Sequence, residues 1–503
     1  MKLKDLFNGA NIDIQVKQDL DIAGITADSR EVKKGFIFVA IKGIQNNGYD
    51  YISIAIEKGA NVIIAPCDFD YDFNGEKIIV NDPYELSVKL APVFYDFPSK
   101  KFNLIGITGT NGKTTTAYLL ESIYREFKHK TGLIGTIKNK IADKEYPVNN
   151  TTPLALELQK LLNEMAEHKI DTVIMEVSSH GLALNRVNGC EFDTAVFTNL
   201  TQDHLDFHGN MDNYLLAKKK LFDNIGKGLM KKDNLYAVVN LDDPNTKQII
   251  KHTDVFVMTY GENESADVCI KDTSFDIKNY TSKFRLIFEN KSSLEIESYL
   301  IGAYNIKNIS AAAAAAYAQK VPLDIIKQGI EKVVSIAGRF EFLRYGQEFA
   351  CVIDYAHTDD ALYRVITTAK SLGFNKIITV FGCGGDRDRD KRPKMGEAAA
   401  KNSDFVIITN DNPREEDSKR IALDIEVGIR KTGNNKYEIV LDRQKAIYKA
   451  LQMAGKGDII IIAGKGHEDY QIIGNQKIHF SDKETVKKLI EKMLEKDTKD
   501  YLF

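Results

Sequence analysis

Short apolar runs and amphipathic stretches alternate along most of the chain. From residue 102 onward, β-branched runs such as FNLIGIT (102–108) and TVIMEV (172–177) are followed by stretches whose apolar residues recur at helical spacing. This alternation is typical of a mainly parallel sheet with helices packed on its faces. Residues 266–300 differ, because their alternation of polar and apolar residues predicts hairpins added to that sheet.

Two interruptions of the pattern divide the chain into three predicted domains. Strand candidates before residue 98 end at a charged turn, Pro98–Lys101, and the alternation of strands and helices restarts after SIAGRFE (335–341). We therefore predict an α/β protein with a small N-terminal α/β domain at 1–101, a central P-loop ATPase-like domain with a mainly parallel sheet at 102–335, and a C-terminal Rossmann-like domain at 336–503.

Composition excludes several classes of protein. The 68 Lys and Arg residues nearly balance the 71 Asp and Glu residues, so the bulk charge attracts neither nucleic acid nor an anionic membrane. The five cysteines are scattered without a C-x-x-C pair, which argues against a disulfide framework and a zinc knuckle. No apolar run approaches the ~18 residues of a membrane span, and the N-terminus lacks an apolar signal segment. We expect a cytoplasmic monomer whose partners are small molecules.

A glycine-rich loop, GITGTNGKTTT (106–116), stands between a predicted strand and a predicted helix. Its three glycines let the backbone turn tightly enough to aim successive N–H groups at one anion, and the helix N-terminus adds its dipole. Lys113 would neutralise phosphate charge, and Thr114 would offer a hydroxyl to Mg²⁺. The spacing departs from G-x-x-x-x-G-K-[ST], because Ile107 stands where the first glycine would be. A turn without a ligand is the alternative for this motif taken alone.

Further motifs follow the loop over nearly the whole chain. They include NNTTP (149–153), MEVSSHGL (175–182), TNLTQDHLDFHG (198–209), GAYNIKNISAA (302–312), DYAHTDDAL (354–362), GCGGDRDRDKRPKM (382–395), DNPR (411–414) and AGKGHEDYQ (463–471). Together with GTNGKTT, they resemble the motifs of the Mur ligase family in the family's order. The related folylpolyglutamate synthetases share the nucleotide loop.

The resemblance implies an ATP-dependent acid–amino-acid ligase of peptidoglycan biosynthesis that forms ADP and phosphate. It would add meso-diaminopimelate, or a close diamino diacid such as lanthionine, to UDP-N-acetylmuramoyl-L-alanyl-D-glutamate through an acyl phosphate. Bringing a carboxylate to a triphosphate costs about 4 kcal/mol for each charge pair at ~4 Å in a medium of dielectric about 20, so cations must assist. A lysine-adding synthetase and a folylpolyglutamate-synthetase-like ligase are the alternatives.

The resemblance also assigns catalytic and ATP-binding residues. The catalytic residues are Lys113, Glu176, His204 and Lys218, and the Mg²⁺ ligands are Thr114, Glu176, His204 and Lys218. Lys218 would act as a carbamate (N6-carboxylysine) formed with CO₂. The ATP-binding residues are Gly109, Thr110, Asn111, Gly112, Lys113, Thr114, Thr115, Asn305 and Arg339, with Asp354 and His357 nearby.

Three of these assignments, Lys218, His204 and Arg339, have a structural alternative. Three adjacent lysines, at 218–220, are typical of a solvated helix face, and His204 fits a hydrogen-bonded loop histidine. Arg339 fits an ordinary ion pair between domains, and Asn308 could pin the glycine loop.

The remaining assignments concern the two substrates. The UDP-sugar-peptide positions are Ser29, Ile44, Gln45, Asn46, Asn150, Thr151, Thr152, Ser178 and Arg186. Leu184 departs from the family, whose members often have glutamine there. The amino-acid positions are Arg387, Asp411, Asn412, Pro413, Arg414, Gly464 and Glu468. Arg414 favours a diaminopimelate-type substrate, because a guanidinium pairs bidentately with a distal carboxylate that lysine lacks. Read alone, DRDRDKRP is a solvated run of charges.

Overall fold

Three β-sheets follow one another along the chain. The computed structural model describes residues 1–43, 47–227, 233–276 and 279–500, with side chains of the last helix described as far as 495. The sheets contain four, eleven and six strands, and a separate two-stranded hairpin lies near the C-terminus. Most neighbouring strands run parallel, which confirms the predicted α/β class. The domain boundaries at 101 and 335 stay predictions.

The first sheet is parallel throughout, in the spatial order β1–β2–β3–β4. Its strands are β1 (Gly24–Thr26), β2 (Phe36–Val39), β3 (Ala60–Ala65) and β4 (Glu76–Ile79). The accompanying helices are α1 (Leu3–Gly9), α2 (Ile52–Glu57) and α3 (Pro83–Phe94), with 3₁₀ turns at Gly48–Tyr51 and Pro98–Lys101. Helix α3 begins at Pro83, because Asp82 caps it by accepting a hydrogen bond from the Glu85 backbone N–H.

The central sheet has eleven strands in the spatial order β15–β14–β13–β12–β11–β10–β5–β9–β6–β7–β8. They are β5 (Asn103–Thr108), β6 (Thr131–Ile134), β7 (Asn139–Ile141), β8 (Lys144–Tyr146), β9 (Thr172–Glu176), β10 (Thr194–Phe197), β11 (Tyr236–Asn240), β12 (Phe256–Gly261), β13 (Val268–Asp276), β14 (Thr281–Phe288) and β15 (Ser293–Ser298). Strands β13 to β15 pair antiparallel, which confirms the hairpins predicted at 266–300. Burial alternates along β15, so one face lies on the core and the other on solvent.

Eight helices accompany this sheet within the described residues. They are α4 (Lys113–Glu126), α5 (Ala155–Glu167), α6 (Ser179–Ala183), α7 (Leu205–His208), α8 (Met211–Asn224), α9 (Thr246–Ile249), α10 (Ala303–Ala318) and α11 (Leu323–Glu331). The alanine run of α10 is buried together with apolar residues of α4 and of the sheet. Small side chains allow these helices to pack closely over the strand that carries the glycine loop.

The third sheet has the order β16–β17–β21–β18–β19–β20, and only β16 pairs antiparallel among its described strands. Its strands are β16 (Glu341–Leu343), β17 (Ala350–Asp354), β18 (Ile377–Phe381), β19 (Phe405–Ile408), β20 (Tyr437–Ile439) and β21 (Ile459–Ala463), and the hairpin is β22 (Tyr470–Ile473) with β23 (Gln476–His479). The helices are α12 (Asp359–Ser371), α13 (Lys391–Asn402), α14 (Ser418–Lys431), α15 (Arg443–Met453) and α16 (Asp482–Asp500).

Throughout the described ranges, every helix is too short or too polar to cross a bilayer.

The sheet order brings the predicted motifs together. In the central sheet, β5 lies between β10 and β9, so the loops after Thr108, Glu176 and Phe197 leave the same edge side by side. In the third sheet, β17, β21, β18 and β19 are consecutive neighbours, and DYAHTDDAL, AGKGHEDYQ, GCGGDRD and DNPR follow their carboxyl ends. Open α/β sheets bind ligands at that edge.

A fully buried ion pair fastens the start of α16 to α15. The Arg443 guanidinium donates to both carboxylate oxygens of Asp482 at 2.7 Å, and both side chains are fully buried. Asp482→Asn leaves the guanidinium charge uncompensated, so we expect a loss of about 3–5 kcal/mol in the free energy of unfolding. Urea denaturation followed by circular dichroism measures it. Glu397→Gln, which breaks an exposed pair with Lys401, is the control and should leave the midpoint unchanged.

Candidate active site

The glycine loop after β5 leads into an uncapped helix end. Gly109 and Gly112 have φ of 148° and 90°, in the region that favours glycine. A Cβ at Gly109 would overlap the Thr198 hydroxyl, and one at Gly112 would overlap the Asn308 side-chain oxygen. No side chain among the described residues caps the N-terminus of α4. The free N–H groups and helix dipole therefore make a cradle suited to a phosphate group.

A cavity of about 540 Å³ opens over this loop between the central and third sheets. Gly112, Lys113 and Thr114 line it from one side, and Arg339, Asp354 and His357 line it from the other. Asn111 links the two sides, because its side-chain amide donates to Asp360 at 3.2 Å and to Thr201 at 3.4 Å. The structure thus brings the predicted phosphate loop together with residues of the C-terminal segment.

Two lysines converge on one carbonyl of the loop. Lys113 Nζ donates to the Gly109 oxygen at 2.9 Å, and Lys218 Nζ donates to the same oxygen at 2.8 Å. Lys218 is 1% exposed, and its ammonium lies 4.3 Å from the centre of the Tyr214 ring. Burial, with the nearby Lys113 charge, lowers the pKa of Lys218 well below its usual value. Burial also lowers the pKa of Lys113, although Glu176 and Asp203 oppose that shift.

The lysine run is therefore only partly a solvated face. Lys218 and Lys219 are buried, and Lys219 pairs with Asp223 and His252, whereas Lys220 is exposed. The solvated-face alternative is wrong for the first two lysines. The physical reason for this burial is that α8 packs against the glycine loop, a contact that residue composition does not reveal.

The Glu176 carboxylate is held by three donors. Thr114 donates its hydroxyl to Oε2 at 2.9 Å, and Thr136 donates its backbone N–H to Oε1 at 2.8 Å and its hydroxyl to Oε2 at 3.0 Å. Thr136 was absent from the sequence-derived site, since it follows β6 outside the quoted motifs. The arrangement places a buried carboxylate and a hydroxyl beside the phosphate loop, a donor set of the kind that Mg²⁺ prefers.

His204 belongs to a cluster around Asp203. The His204 Nε2 lies 3.3 Å from the Asp203 carboxylate, and His357, from the loop after β17, lies 4.0 Å from the same oxygen. His204 has a left-handed backbone (φ 53°), and the His180 ring stands edge-on to it at 4.8 Å. Burial lowers the pKa of His204, so its imidazole is neutral at pH 7. Asp203 was missed as a separate site residue, although it lies within TNLTQDHLDFHG.

No preformed metal cage accompanies these groups: the described residues contain no cluster of three or more His, Cys, Asp or Glu side chains placed to hold an ion. The predicted ligand set contains one carboxylate, one imidazole, one hydroxyl and the carbamate expected at Lys218. Mg²⁺ is commonly bound by one or two carboxylates together with substrate phosphates and waters, so the residues present fit an ion that arrives with a nucleotide.

Arg339 reaches across to the phosphate loop, whereas Asn305 does not. Arg339 donates to the Thr114 hydroxyl at 3.0 Å and stacks on the Tyr355 ring at 4.8 Å. No carboxylate of the described residues pairs with Arg339, so the ion-pair alternative is wrong, and the buried Arg339 Nε has no hydrogen-bond partner among those residues.

Asn305 is buried behind the cavity, where it donates to the Ile301 carbonyl and accepts from Asn308. Asn308 lines the cavity and touches Gly112, as the loop-pinning alternative predicts.

Asp354 is a buried carboxyl at the end of β17. It accepts hydrogen bonds from the backbone N–H groups of Phe340 and Ala356, both at 2.7 Å. Burial raises the pKa of Asp354 to about 6, although Arg339 and these hydrogen bonds oppose the shift. Asp354 thereby fixes the backbone turn that carries Arg339 towards Thr114.

Thr152, which precedes α5, forms one hydrogen-bonded group with Ser178 and Arg186, which follow β9. Thr152 donates to the Glu176 carbonyl at 2.9 Å and to the Ser178 hydroxyl at 3.1 Å, and Arg186 donates to the Thr152 carbonyl at 2.9 Å. Thr151 contacts the Thr136 hydroxyl, and Asn150 is exposed.

The other muramoyl-substrate positions lie at the first domain. Ser29 is buried beside β1, and Ile44, Gln45 and Asn46 fall outside the described residues. Leu184 is 39% exposed, and its carbonyl accepts a hydrogen bond from the Tyr84 hydroxyl at 2.8 Å. This contact joins α3 of the first domain to the loop that carries Arg186.

The predicted amino-acid residues gather at the carboxyl edge of the third sheet. Gly384 lies between two guanidinium-bearing side chains: a Cβ there would be 3.0 Å from a terminal nitrogen of Arg414 and 3.7 Å from Cγ of Arg387. Burial, and then the Arg387 charge, lowers the pKa of Arg414. Arg414 donates to the Gly385 carbonyl at 2.8 Å and has a left-handed backbone (φ 53°) directly after Pro413.

Carboxylates lie beside these arginines. Asn412 donates to the Glu468 carboxylate at 3.0 Å, and a Cβ at Gly464 would lie 2.5 Å from an Asp411 carboxylate oxygen. Lys465, fully buried between them, was missed from the sequence although it lies in AGKGHEDYQ. Adjacent cations and carboxylates are the groups that an amino-acid zwitterion requires.

Comparison with known proteins identifies the family of the chain. Three family models match: Mur ligase family, catalytic domain (21–87), Mur ligase middle domain (107–316), and Mur ligase, glutamate ligase domain (338–466). UDP-N-acetylmuramoyl-L-alanyl-D-glutamate--2,6-diaminopimelate ligase of Bacillus velezensis is 44% identical over 94% of this chain and 95% of its own. The protein of that name from Clostridioides difficile is 43% identical over 98% and 100%.

A solved structure of a UDP-N-acetylmuramoyl-L-alanyl-D-glutamate--2,6-diaminopimelate ligase matches with a TM-score of 0.67 and 32% identity, over 98% of this chain and 99% of that one. The fold and the site thus define an ATP-dependent ligase that forms amide bonds. The chain belongs to the Mur ligase family.

Proposed function

We propose that this enzyme joins meso-diaminopimelate to UDP-N-acetylmuramoyl-L-alanyl-D-glutamate, with ATP as the energy source, in the cytoplasmic phase of peptidoglycan synthesis. The observation that carries the proposal is the cluster of charged side chains around Gly384, which we call the amino-acid pocket. Arg387 and Arg414 supply positive charge there, while Asp411 and Glu468 supply negative charge. A diamino diacid presents an ammonium and a carboxylate at the end that does not react, and this pattern complements both.

ATP would bind over the cradle between Gly109 and Thr115. Lys113 and Arg339 would neutralise its phosphates, and closure of the 540 Å³ cavity by both sides would exclude water from the acyl phosphate. Mg²⁺, when bound, supplies positive charge that offsets the repulsion between the substrate carboxylate and the triphosphate. Thr114, Glu176 and His204 would hold it, while Thr136 keeps the Glu176 carboxylate in a single orientation.

Lys218 would serve as a carbamate. Only the neutral amine attacks CO₂, and burial of Lys218 with a lowered pKa favours that form. The new N–C bond forms as the amine loses one proton, and the product carries a negative charge where a positive one stood. An anion beside Lys113 removes the repulsion between two cations that share the Gly109 carbonyl, and it would add an oxygen ligand for Mg²⁺.

Phosphate release tests the function directly. The purified enzyme is given MgATP and UDP-N-acetylmuramoyl-L-alanyl-D-glutamate with meso-diaminopimelate, lanthionine, lysine or ornithine in turn. We expect ADP, phosphate and a new amide with meso-diaminopimelate, a slower reaction with lanthionine, and lysine and ornithine poorer by several powers of ten. Turnover with lysine alone would overturn the substrate proposal, and no turnover with any amine would overturn the activity.

A further inference from the structure

Lys465 is a fully buried charge that the mechanism above does not use. It lies two residues after the end of β21, and its side chain has no exposed surface. A buried lysine without partners is costly, because the ammonium loses its hydration. The partners of Lys465 are all residues of the proposed amino-acid pocket: Glu468 at 3.1 Å, the Asn412 side-chain oxygen at 3.3 Å, and Asp411 at 3.9 Å.

The two carboxylate oxygens of Glu468 differ in their hydrogen bonds. Lys465 Nζ donates to Glu468 Oε2 at 3.1 Å, and Asn412 Nδ2 donates to the same oxygen at 3.0 Å. Within the described part of the chain, Oε1 accepts no hydrogen bond, and the Glu468 side chain stays 15% exposed. Oε2 is therefore already hydrogen-bonded within the protein, whereas Oε1 is available to a ligand.

Lys465 also fixes the orientation of the Asn412 amide. Asn412 Oδ1 accepts from Lys465 at 3.3 Å and from the Ile472 backbone N–H at 3.0 Å. With both donors on the oxygen, the amide nitrogen must point at Glu468. Loss of the Lys465 ammonium would leave only the Ile472 N–H on the Asn412 oxygen, so Glu468 would lose the lysine donor and its amide donor would be held less firmly.

We propose that Lys465 is a positioning residue for substrate recognition, which holds Glu468 so that its Oε1 receives the ammonium at the unreactive end of the incoming diamino acid. This inference rests on the proposed function and names the residue that sets its selectivity for a second amino group. Because the polar contacts of Lys465 go to Asn412, Asp411 and Glu468, and Lys465 does not line the cavity over the glycine loop, its loss should affect one end of one substrate.

The test compares two amino acids that differ only in that ammonium. Meso-diaminopimelate and 2-aminopimelate keep the same reacting amine, and only the former has an ammonium at the other end. We expect Lys465→Met to raise KM for meso-diaminopimelate about 10- to 100-fold, as for the loss of hydrogen bonds to a charged group, with kcat within about threefold. The preference for meso-diaminopimelate over 2-aminopimelate in kcat/KM should fall by a similar factor, while KM for ATP stays unchanged.

Lys477→Met is the matched control, since Lys477 is an exposed lysine over the same Tyr470 ring that Lys465 faces. It should retain the wild-type preference. An unchanged preference in Lys465→Met, or equal use of both amino acids by the wild type, would overturn the inference. If the wild type makes no amide with meso-diaminopimelate, the proposed function itself fails. Should Lys465→Met not fold, Lys465→Gln takes its place, and failure of both to fold would count for a purely structural lysine.

Discussion

Lys218→Ala is expected to lower kcat about 10²- to 10³-fold, the range found when one group that stabilises transition-state charge is removed. The substitution removes the amine that becomes the carbamate, and it leaves Lys113 alone on the Gly109 carbonyl. Added bicarbonate cannot restore activity, because no amine remains to react. Acetate or propionate should restore part of it, since the truncated side chain leaves room for a small carboxylate. Phosphate release under saturating substrates measures both effects.

Lys220→Ala is the matched control for this prediction. Lys220 lies on the same helix, two residues further on, but is exposed, and its one hydrogen bond to a described residue is a 3.4 Å contact with the Leu182 carbonyl. We expect it to retain wild-type kcat and no response to acetate. Full activity of Lys218→Ala would remove the carbamate from the mechanism. Equal loss in both variants would instead point to damage to α8.

The positions of the strands along the chain could be predicted from the sequence, because they depend on local patterns of apolar and polar residues. The apolar runs at 102–108 and 172–177 became β5 and β9, and the alternation at 266–300 became antiparallel strands. Family motifs then predicted which loops bind ligands. These are features that a few neighbouring residues determine.

Contacts between distant segments could not be predicted in this way. Thr136 holds Glu176 across 40 residues, and Lys465 holds Asn412 across 53, yet neither pairing leaves a periodic mark in the sequence. For Asn305 the motif was misleading. The motif predicts a contact with ATP, but the side-chain amide donates a hydrogen bond to the Ile301 carbonyl behind the cavity. Sheet order decides such pairings, and sheet order depends on the whole chain.

Arg414→Ala is expected to reduce kcat/KM for meso-diaminopimelate about 10²- to 10³-fold while changing that for lysine much less. Arg414 is half-buried, and truncating one partner of such a guanidinium–carboxylate pair costs about 2–5 kcal/mol. Lysine has no distal carboxylate, so its binding does not depend on this pair. Arg414→Lys keeps the charge without the planar fork, so its loss should be intermediate. Kinetics with both amino acids give the ratio.

Arg420→Ala, an exposed arginine at the start of α14, controls for the loss of positive charge near this loop and should leave the ratio unaltered. Arg414 also donates to the Gly385 carbonyl, so its removal could loosen the loop that carries Arg387. A loosened loop would slow lysine and meso-diaminopimelate alike, whereas loss of carboxylate pairing changes their ratio. An equal loss for the two amino acids would therefore reject Arg414 as the residue that selects the diacid.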